Sequence, residues 1–333
     1  MTNRNKQIDY LRALGLLLII LAHVYPPTFI AQIRCFDVIL MVFISGLSFS
    51  SKKIDSYTDY IFSRAKRLIL PVWIFLFIYL TAFYLIQPYI WDEEYLTKRM
   101  IIRSFLLLDE SIGYVWIIRV FLVISIIAPI LLRINNMISS TRFFLVFFIS
   151  LVFLEILVYK ISNFLPDGFF KEFWVSIIVY GIGYTIPFLL GIRLKVSNDY
   201  KILIIITILF AICFSMFIIN NDGTYKLTPQ FKEPPHMYYI TYGILISSLL
   251  WFFRYKWERI CDYRTSKMIL FIGQNTIWIY LWHMPFALLS NLLPCNWGIK
   301  YLFVFIPALL IFCIQYKLVI NINNEKIKKI FIG

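Results

Sequence analysis

The sequence predicts an all-α, polytopic membrane protein with about ten transmembrane helices and no soluble domain. Hydrophobic residues make up 61% of the 333 residues and charged residues only 15%, whereas a soluble domain carries about 25% charged residues. Apolar runs of about 20 residues, the length that crosses a bilayer as a helix, recur from one end of the chain to the other. We therefore expect residues 1–333 to form a single transmembrane domain.

The membrane spans are predicted from the apolar runs of the sequence. These runs cover residues 8–29, 36–50, 68–89, 114–132, 143–161, 173–194, 202–219, 237–253, 268–289 and 299–320. The second run is short and must be extended or tilted to span the bilayer. The apolar run at residues 100–108 is too short to span, so we expect it to lie at the interface or to re-enter the membrane.

The distribution of basic residues predicts the orientation. The net charge is +14, and Lys and Arg cluster in alternate connecting segments, with about twice as many on one side as on the other. This alternation follows the positive-inside rule and argues against nucleic acid as a partner. It places both termini in the cytoplasm if the number of spans is even. An odd number of spans would place one terminus outside.

The cysteines give no sign of a metal site. None of the five cysteines belongs to a C-x-x-C pair, the spacing most typical of metal ligands. Cys35 and Cys295 both fall on the outer side in the predicted topology, where an oxidising compartment permits disulfides. A disulfide between them is therefore one hypothesis.

The first span carries an arginine and a histidine eleven residues apart, Arg12 and His23. Eleven helical steps return to within about 20° of the start, so both side chains are expected on one stripe, about 16 Å apart along the axis. Ionisable residues inside a bilayer are costly and often mark functional sites. The pair therefore predicts a polar path, although Arg12 alone is also typical of an arginine that snorkels to the interface.

Two histidines are expected at the same depth, beyond the middle of the bilayer. His23 lies fifteen residues into the first span and His283 fifteen residues into the ninth, and both spans run outward in the predicted topology. Neutral imidazole is a natural acid or base near neutral pH. The alternative is a histidine that only hydrogen-bonds between helices, and this remains open above all for His283.

Further charged residues have both a functional and an ordinary interpretation. Arg119 lies five residues into the fourth span, where it either snorkels or pairs with Glu155 or Asp37. Arg64 and Arg67 lie in a predicted cytoplasmic loop. This loop either holds phosphate groups or carries the positive charge that precedes many spans.

The predicted outer loop at residues 225–239 is rich in aromatic, proline and polar residues. Such a loop can bind a sugar through ring stacking and hydrogen bonds. It is also typical of a stiff Pro-rich connector with tyrosines at the membrane interface.

Taken in order, these residues resemble the motifs of acyltransferase family 3, bacterial integral-membrane O-acyltransferases that modify surface polysaccharides. Arg12 to His23 is similar to the opening Arg-x10-His motif of the family. The other segments that resemble family motifs are Ser45-Gly46, with Met41 and Val42 where the family has two phenylalanines; Arg64, Arg67, Leu68 and Pro71; Trp116 and Pro129; Lys232 to Pro235 with Tyr238 and Tyr239; and Gly273 to Thr276 with Tyr280 and His283.

The resemblance implies a membrane O-acyltransferase of the bacterial inner (plasma) membrane. Its reaction would move an acyl group, acetyl above all, from cytoplasmic acyl-CoA to a hydroxyl of a lipid-linked or surface glycan. Acyl-CoA would be a co-substrate, with no cofactor bound permanently and no metal. The alternative prediction is a transporter or flippase that moves a glycolipid or an anion without chemistry, since intramembrane charges suit that role as well.

The resemblance also assigns roles to residues. His23 would be the general base or a transient acyl carrier, while Arg12, Arg64 and Arg67 would hold acyl-CoA. Arg119 or Asn275 would stabilise the oxyanion. The residues expected to bind the substrates are Asp37, Ser45, Trp116, Arg119, Pro234, Pro235, Tyr239, Asn275, Tyr280 and His283.

Overall fold

The computed structural model of the protein describes residues 5–49, 54–90, 96–108, 111, 115–197, 200–220, 225–256 and 263–332. Within these residues the regular structure is helical and contains no strand, which confirms the all-α prediction. The helices are α1 (Lys6–Ala22), α2 (Thr28–Arg34), α3 (Asp37–Phe49), α4 (Tyr57–Ile90), α5 (Lys98–Phe105), α6 (Trp116–Met137), α7 (Thr141–Phe164), α8 (Phe169–Phe173), a π-helical turn (Trp174–Val179), α9 (Tyr180–Ser197), α10 (Tyr200–Asn220), a 3-10 helix (Thr228–Phe231), α11 (Met237–Phe252), α12 (Tyr263–Gln274), α13 (Thr276–Ser290), α14 (Trp297–Ile320) and α15 (Glu325–Phe331).

Seven helical segments in the described part of the chain are long and apolar enough to cross a membrane. They are Thr28–Phe49, Tyr57–Tyr89, Trp116–Met137, Thr141–Phe164, Phe169–Val196, Lys201–Ile219 and Trp297–Ile320. The other predicted spans hold shorter helices, namely α1 with 17 residues, α11 with 16 and α13 with 15. Every predicted span is thus occupied by helix, and the chain is a multi-pass membrane protein.

The first predicted span, residues 8–29, ends earlier than expected because α1 stops at Ala22. The two prolines at positions 26 and 27 explain the early end, since the residue before a proline is disfavoured in the helical region. His23 is therefore the first residue after the helix. The helical stripe predicted from the spacing of Arg12 and His23 stops one residue short of the histidine.

The helix α4 is much longer than the span predicted at residues 68–89. It contains 34 residues, which correspond to about 51 Å of helix against a hydrocarbon core of about 30 Å. It begins at Tyr57, so Arg64 and Arg67 lie on its first turns. The prediction that they lie in a loop is wrong, because the helix continues beyond the length that a bilayer requires.

The short run predicted at the interface is the helix α5, which has eight residues. The Thr97 side chain accepts a hydrogen bond from the Met100 N–H and caps its N-terminus. The Trp73 indole N–H donates to the Phe105 carbonyl at 3.0 Å, which ties the end of α5 to α4. This segment is helical but too short to span, as the sequence predicts.

The span predicted at residues 268–289 is interrupted at Asn275, between α12 and α13. Asn275 has non-helical backbone angles, with φ −126° and ψ 38°. Just before it, Gly273 lies so close to α1 that a Cβ atom would meet the backbone carbonyl of Asp9. A glycine is required there because α12 and α1 cross in direct backbone contact.

The chain divides into two compact units. The first consists of Met1–Ala22, Pro26–Asp55 and Val123–Gln274, and the second consists of His23–Tyr25, Ser56–Leu122 and Asn275–Gly333. In the first unit α3 packs closely on α9 and α1, and α11 packs on α10 and α3. Gly46 allows the tightest of these crossings, since a Cβ atom there would collide with the Phe188 carbonyl of α9.

In the second unit α13 packs on α14 and α4, and the C-terminal helix α15 packs on α14 and α4. Two indole groups of α13 fix this arrangement. Trp278 donates to the Ile330 carbonyl of α15 at 2.8 Å, and Trp282 donates to Oε1 of Gln315 on α14 at 2.7 Å. The Ile330 carbonyl at the end of α15 is thereby satisfied by a side chain of α13.

Candidate functional site

The two histidines lie side by side in the second unit. The ring centroids of His23 and His283 are 5.1 Å apart, and the ring planes are inclined by 28°. His283, on α13, has no exposed surface, whereas His23 is partly exposed. The two imidazoles therefore share one level, as their equal positions within the first and ninth predicted spans indicate.

The His283 ring has a defined orientation. Its Nδ1 is in hydrogen-bond contact with the Tyr280 backbone carbonyl. Since a carbonyl oxygen only accepts, Nδ1 carries the proton of the neutral ring and Nε2 presents a lone pair. Nε2 is buried and has no hydrogen-bond partner among the described residues. The Tyr280 ring packs against the imidazole at 4.9 Å between centroids. The pair thus combines one buried imidazole of fixed tautomer with a second, more accessible one.

Arg12 belongs to the first unit, where several side chains hold it in place. Its Nη1 lies 3.3 Å from Oδ1 of Asp9 on the same helix, and its Nη2 donates to the Ser48 hydroxyl of α3 at 2.6 Å. Asp9 also accepts a hydrogen bond from Nε2 of Gln274 at 3.3 Å. The Arg12 side chain remains 24% exposed and Asp9 only 1%. Arg12 is therefore a positioned cation with an accessible surface.

The basic residues of α4 lie on the exposed part of the helix in the second unit. Arg67 and Lys66 are exposed and Arg64 is partly exposed. The Arg64 guanidinium lies 5.8 Å from the ring of Tyr60, and the Lys66 ammonium lies 4.3 Å from the ring of Phe62. These side chains are accessible to an anionic ligand in water.

The second unit also contains Arg119, Trp116 and Asn275. Arg119 is 4% exposed, and its Nη1 donates to the Leu107 carbonyl at 2.9 Å. Trp116 is partly exposed at the start of α6. Asn275 is 6% exposed and precedes α13, with no side-chain hydrogen bond to the N-terminus of that helix. Arg119 is therefore held by a backbone carbonyl.

The two carboxylates that the sequence offers as partners of Arg119 both lie in the first unit and have their own surroundings there. Asp37 pairs with Arg34, at 2.7 Å between Oδ2 and Nη1. Glu155 has no exposed surface, and neither of its carboxyl oxygens has a hydrogen-bond partner in the described part of the chain. Asp37 is already in contact with Arg34, and the pairing of Arg119 with either carboxylate stays a prediction.

Of the residues predicted to bind the substrates, the first unit contains Asp37, Pro234, Pro235 and Tyr239, as well as Ser45. Asp37 is fully buried at the start of α3, and its Oδ1 lies 3.5 Å from Nζ of Lys232 in the outer loop. Pro234 is partly exposed, and Pro235 is buried. Tyr239 of α11 has no exposed surface. The loop and the start of α3 are thus joined by an ion pair.

Local contacts bear on Ser45, whose role in substrate binding stays a prediction, and on the predicted disulfide. The Ser45 hydroxyl donates to the Met41 carbonyl of its own helix at 2.8 Å, and it is Ser48, one turn further, that contacts Arg12. Cys35 and Cys295 are both free thiols, so the disulfide hypothesis is wrong.

Each unit therefore gathers its own subset of the predicted residues. The second unit holds His23, Arg64, Arg67, Trp116, Arg119, Asn275, Tyr280 and His283, and the first holds Arg12, Asp37, Ser45, Pro234, Pro235 and Tyr239. Four residues of these clusters were not predicted to be site residues, namely Asp9, Ser48, Gln274 and Arg34. Asp9 and Arg34 each lie three residues before their partner, a spacing that places two side chains together on a helix and that the sequence does reveal.

Comparison with known proteins identifies the family of the chain. A family model described as an acyltransferase domain, that of acyltransferase family 3, matches residues 5–316. No curated protein matches the chain, and no solved structure does. The family match covers every residue of the histidine pair and of the Arg12 and Asp37 clusters. The chain therefore belongs to acyltransferase family 3 and is a membrane acyltransferase.

Proposed function

We propose that the protein moves an acyl group, acetyl in the first instance, from cytoplasmic acyl-CoA to a hydroxyl of a lipid-linked or surface glycan. The observation that carries this proposal is the stacked pair of His23 and His283. A buried imidazole of fixed tautomer beside a more accessible imidazole is suited to positioning a base next to a reacting hydroxyl. The family match favours this chemistry over the transporter that the intramembrane charges also suit.

In the proposed reaction His23 is the general base. The acceptor hydroxyl oxygen forms a bond to the thioester carbon, and the carbon–sulfur bond breaks. His23 takes the proton of the hydroxyl and returns it to the thiolate of CoA, so that protons and charge balance. His283 is a positioning residue, because its ring lies against His23 and its Nδ1 is held by the Tyr280 carbonyl.

We assign the binding of the acyl donor, acyl-CoA, to the basic residues on the predicted cytoplasmic side. Arg12 is a held cation with exposed surface, which suits a phosphate or the thioester oxygen. Arg64 and Arg67 lie near the start of α4, a helix longer than a bilayer requires, and are proposed to meet the phosphates of CoA there. Arg119 or Asn275 is assigned to the oxyanion, since both are polar and nearly buried.

The test compares matched substitutions of two histidines. His23→Asn is expected to lower the turnover by about 100-fold or more, the usual contribution of a general base. His236→Asn is the control, since Asn retains an acceptor for the Tyr238 N–H that the His236 side chain now caps. Turnover is measured as label moved from acetyl-CoA to glycan by purified protein in lipid nanodiscs, with folding checked by thermal unfolding. Near-normal turnover of folded His23→Asn would exclude the mechanism.

A second measurement separates direct transfer from a covalent route. In the covalent route the imidazole of His23 takes the acyl group, CoA leaves as the thiol, and the acceptor hydroxyl then removes the acyl group. Intact-mass analysis of protein mixed with acetyl-CoA and no acceptor would then show one added acetyl group. Direct transfer predicts an unchanged mass.

A further inference from the structure

Two cations and one buried carboxylate meet around Arg34 in the first unit. Two cations approach the buried carboxylate of Asp37, Arg34 at 2.7 Å and Lys232 at 3.5 Å, and the Val38 N–H donates to it as well. The side chains of Arg34 and Lys232 are only 9% and 13% exposed. Glu233, the nearby acidic residue of the loop, is exposed, so water screens its charge. Among the buried contacts of Asp37, two cations therefore meet one carboxylate.

The same cluster contains buried hydrogen-bond donors that have no acceptor. The Nε of Arg34 and the Nε2 of Gln32 are buried without a hydrogen-bond partner in the described part of the chain. The hydroxyls of Tyr184 and Tyr239 are buried as well, and the only hydrogen bond open to them among the described residues is the one to each other. The two phenols have no exposed surface, and Gln32 and Arg34 are at most 9% exposed. Unpaired buried donors are costly, so several of them in one place call for an explanation.

These donors belong to one region of the first unit. Gln32 and Arg34 are both on α2, and the Oε1 of Gln32 accepts from the Thr228 N–H at 2.9 Å, which holds α2 against the outer loop. Tyr184 of α9 and Tyr239 of α11 face each other, and both lie within electrostatic range of Asp37. If the two phenols bonded to each other, one O–H would still have no acceptor.

The chemistry of the cluster selects its ligand. Guanidinium and amide N–H groups only donate, and the oxygens of Asp37 already accept from Arg34, Val38 and Lys232. A neutral sugar brings as many donors as acceptors, and its own hydroxyls would find few acceptors here. A cation at the same place would meet Arg34 and Lys232, which both repel it. An oxyanion supplies only acceptors, and Arg is well matched to carboxylate and phosphate.

We propose that this cluster binds an anionic group of the acyl acceptor, either the carboxylate of an acidic sugar or the phosphate of a lipid-linked sugar. The inference rests on the proposed acyl transfer to a glycan and narrows the acceptor to an anionic one. Arg34 and Lys232 supply the charge, and Gln32, Tyr184 and Tyr239 supply the neutral donors. Pro234 and Pro235 then belong to the segment that closes over the anion.

Binding is measured with the whole chain in nanodiscs of neutral phosphatidylcholine, so that no lipid charge competes. The probes share one sugar: methyl glucoside is neutral, methyl glucuronide carries a carboxylate, and glucose 1-phosphate carries a phosphate. We expect at least one anionic probe to bind about tenfold or more tightly than methyl glucoside, which is the usual effect of one charge-assisted contact. The two anionic probes distinguish the carboxylate from the phosphate. Equal binding of all three overturns the proposal.

Two variants test the residues. The double change Tyr184→Phe and Tyr239→Phe removes both phenol hydroxyls together, so that neither is left buried without the other. A merely structural role therefore predicts unchanged or raised thermal stability and unchanged binding. We expect weaker binding of the anion with the fold intact. Lys232→Gln should weaken it too, whereas its control Lys226→Gln, an exposed lysine of the same loop, should not. Retention of the preference for anions in both the tyrosine variant and Lys232→Gln would overturn the assignment.

Transfer from labelled acetyl-CoA to membrane glycans, measured separately, distinguishes the two proposals. Transfer without anion preference in binding leaves the proposed function and removes this site. Anion binding without any transfer removes the proposed function and, with it, the identification of the anion as part of an acyl acceptor.

Discussion

Two arginine–aspartate pairs in the first unit share one spacing and differ in their surroundings. Arg12 lies three residues after Asp9, and Arg34 lies three residues before Asp37. The first pair is 3.3 Å long with the arginine side chain 24% exposed, and the second is 2.7 Å long with the arginine 9% exposed. The aspartate is almost completely buried in both pairs, so the pairs differ mainly in how far the arginine side chain is exposed.

This difference predicts different roles for the same pair of residue types. An arginine that keeps an exposed surface can bind a ligand while its carboxylate and the Ser48 hydroxyl hold it in place. An arginine that is buried with its carboxylate is needed for the fold, because removing either partner leaves an uncompensated charge. The atom of Arg34 that remains for a ligand is Nε, which lacks a hydrogen-bond partner in the described structure.

The largest effect is expected from breaking the buried pair. Asp37→Asn leaves Arg34 and Lys232 without their carboxylate, and we expect a loss of about 3–5 kcal/mol in the free energy of unfolding. The control is Asp167→Asn, which removes the aspartate of an exposed pair with Lys171 that spans 2.7 Å. Exposed pairs contribute about 0–1 kcal/mol. Thermal unfolding in detergent compares the two variants, and equal losses would contradict the assigned difference.

A smaller effect on stability and a clear effect on donor binding are expected at the other pair. Arg12→Gln removes a cation that the proposal assigns to acyl-CoA, while Gln274 still donates to Asp9. We expect the KM for acetyl-CoA to rise about tenfold, the value of one charge-assisted hydrogen bond. Arg142→Gln, at an exposed arginine on α7, makes the same change in charge and serves as control. An unchanged KM in Arg12→Gln would remove Arg12 from the donor site.

The smallest effect is a loss of stability in acid at His236, which directly precedes α11. Burial lowers the pKa of His236, which lies outside the spans, below its ordinary value of about 6.5. The folded state then binds this proton less readily than the unfolded state. The contribution of neutral His236 to the free energy of unfolding is fully present above about pH 6.5 and is lost as the pH falls below that value. Protonation also removes the Nδ1 acceptor of the Tyr238 N–H, which lies at 3.1 Å.

Thermal unfolding of the unsubstituted protein and of His236→Asn between about pH 7.5 and about pH 5 measures this effect. We expect the protein with His236 to lose more stability over this range than the variant. Parallel losses in both proteins would show that His236 does not titrate differently on folding.

The positions of the spans could be predicted from the sequence because each requires only an apolar run of about 20 residues. The ends of the helices were harder to predict. The early end of α1 follows from the two prolines at positions 26 and 27, which the sequence contains. The break at Asn275 follows from no comparable signal, because Gly273 and Asn275 interrupt the helix only where α12 meets the backbone of α1.

The candidate site was predicted in part. His23, His283, Arg12 and Asp37 stand out as polar residues in apolar runs, and this is a property of the sequence alone. The contacts of these residues come from other helices. Ser48 and Gln274 reach the Arg12 cluster from α3 and α12, and nothing in their local sequence marks them.

The sequence by itself determined that the chain is helical and crosses the membrane, since hydrophobicity and helical periodicity are local properties. It also determined which residues have a high cost inside the bilayer. Only the tertiary structure decided that His23 meets His283, that Arg34 is buried while Arg12 is not, and that the Nε of Arg34 and the Nε2 of Gln32 have no acceptor in the described part of the chain. The reason is physical: burial and hydrogen bonding depend on segments far apart in the chain, and neither the spacing nor the type of a residue specifies which of them it will meet.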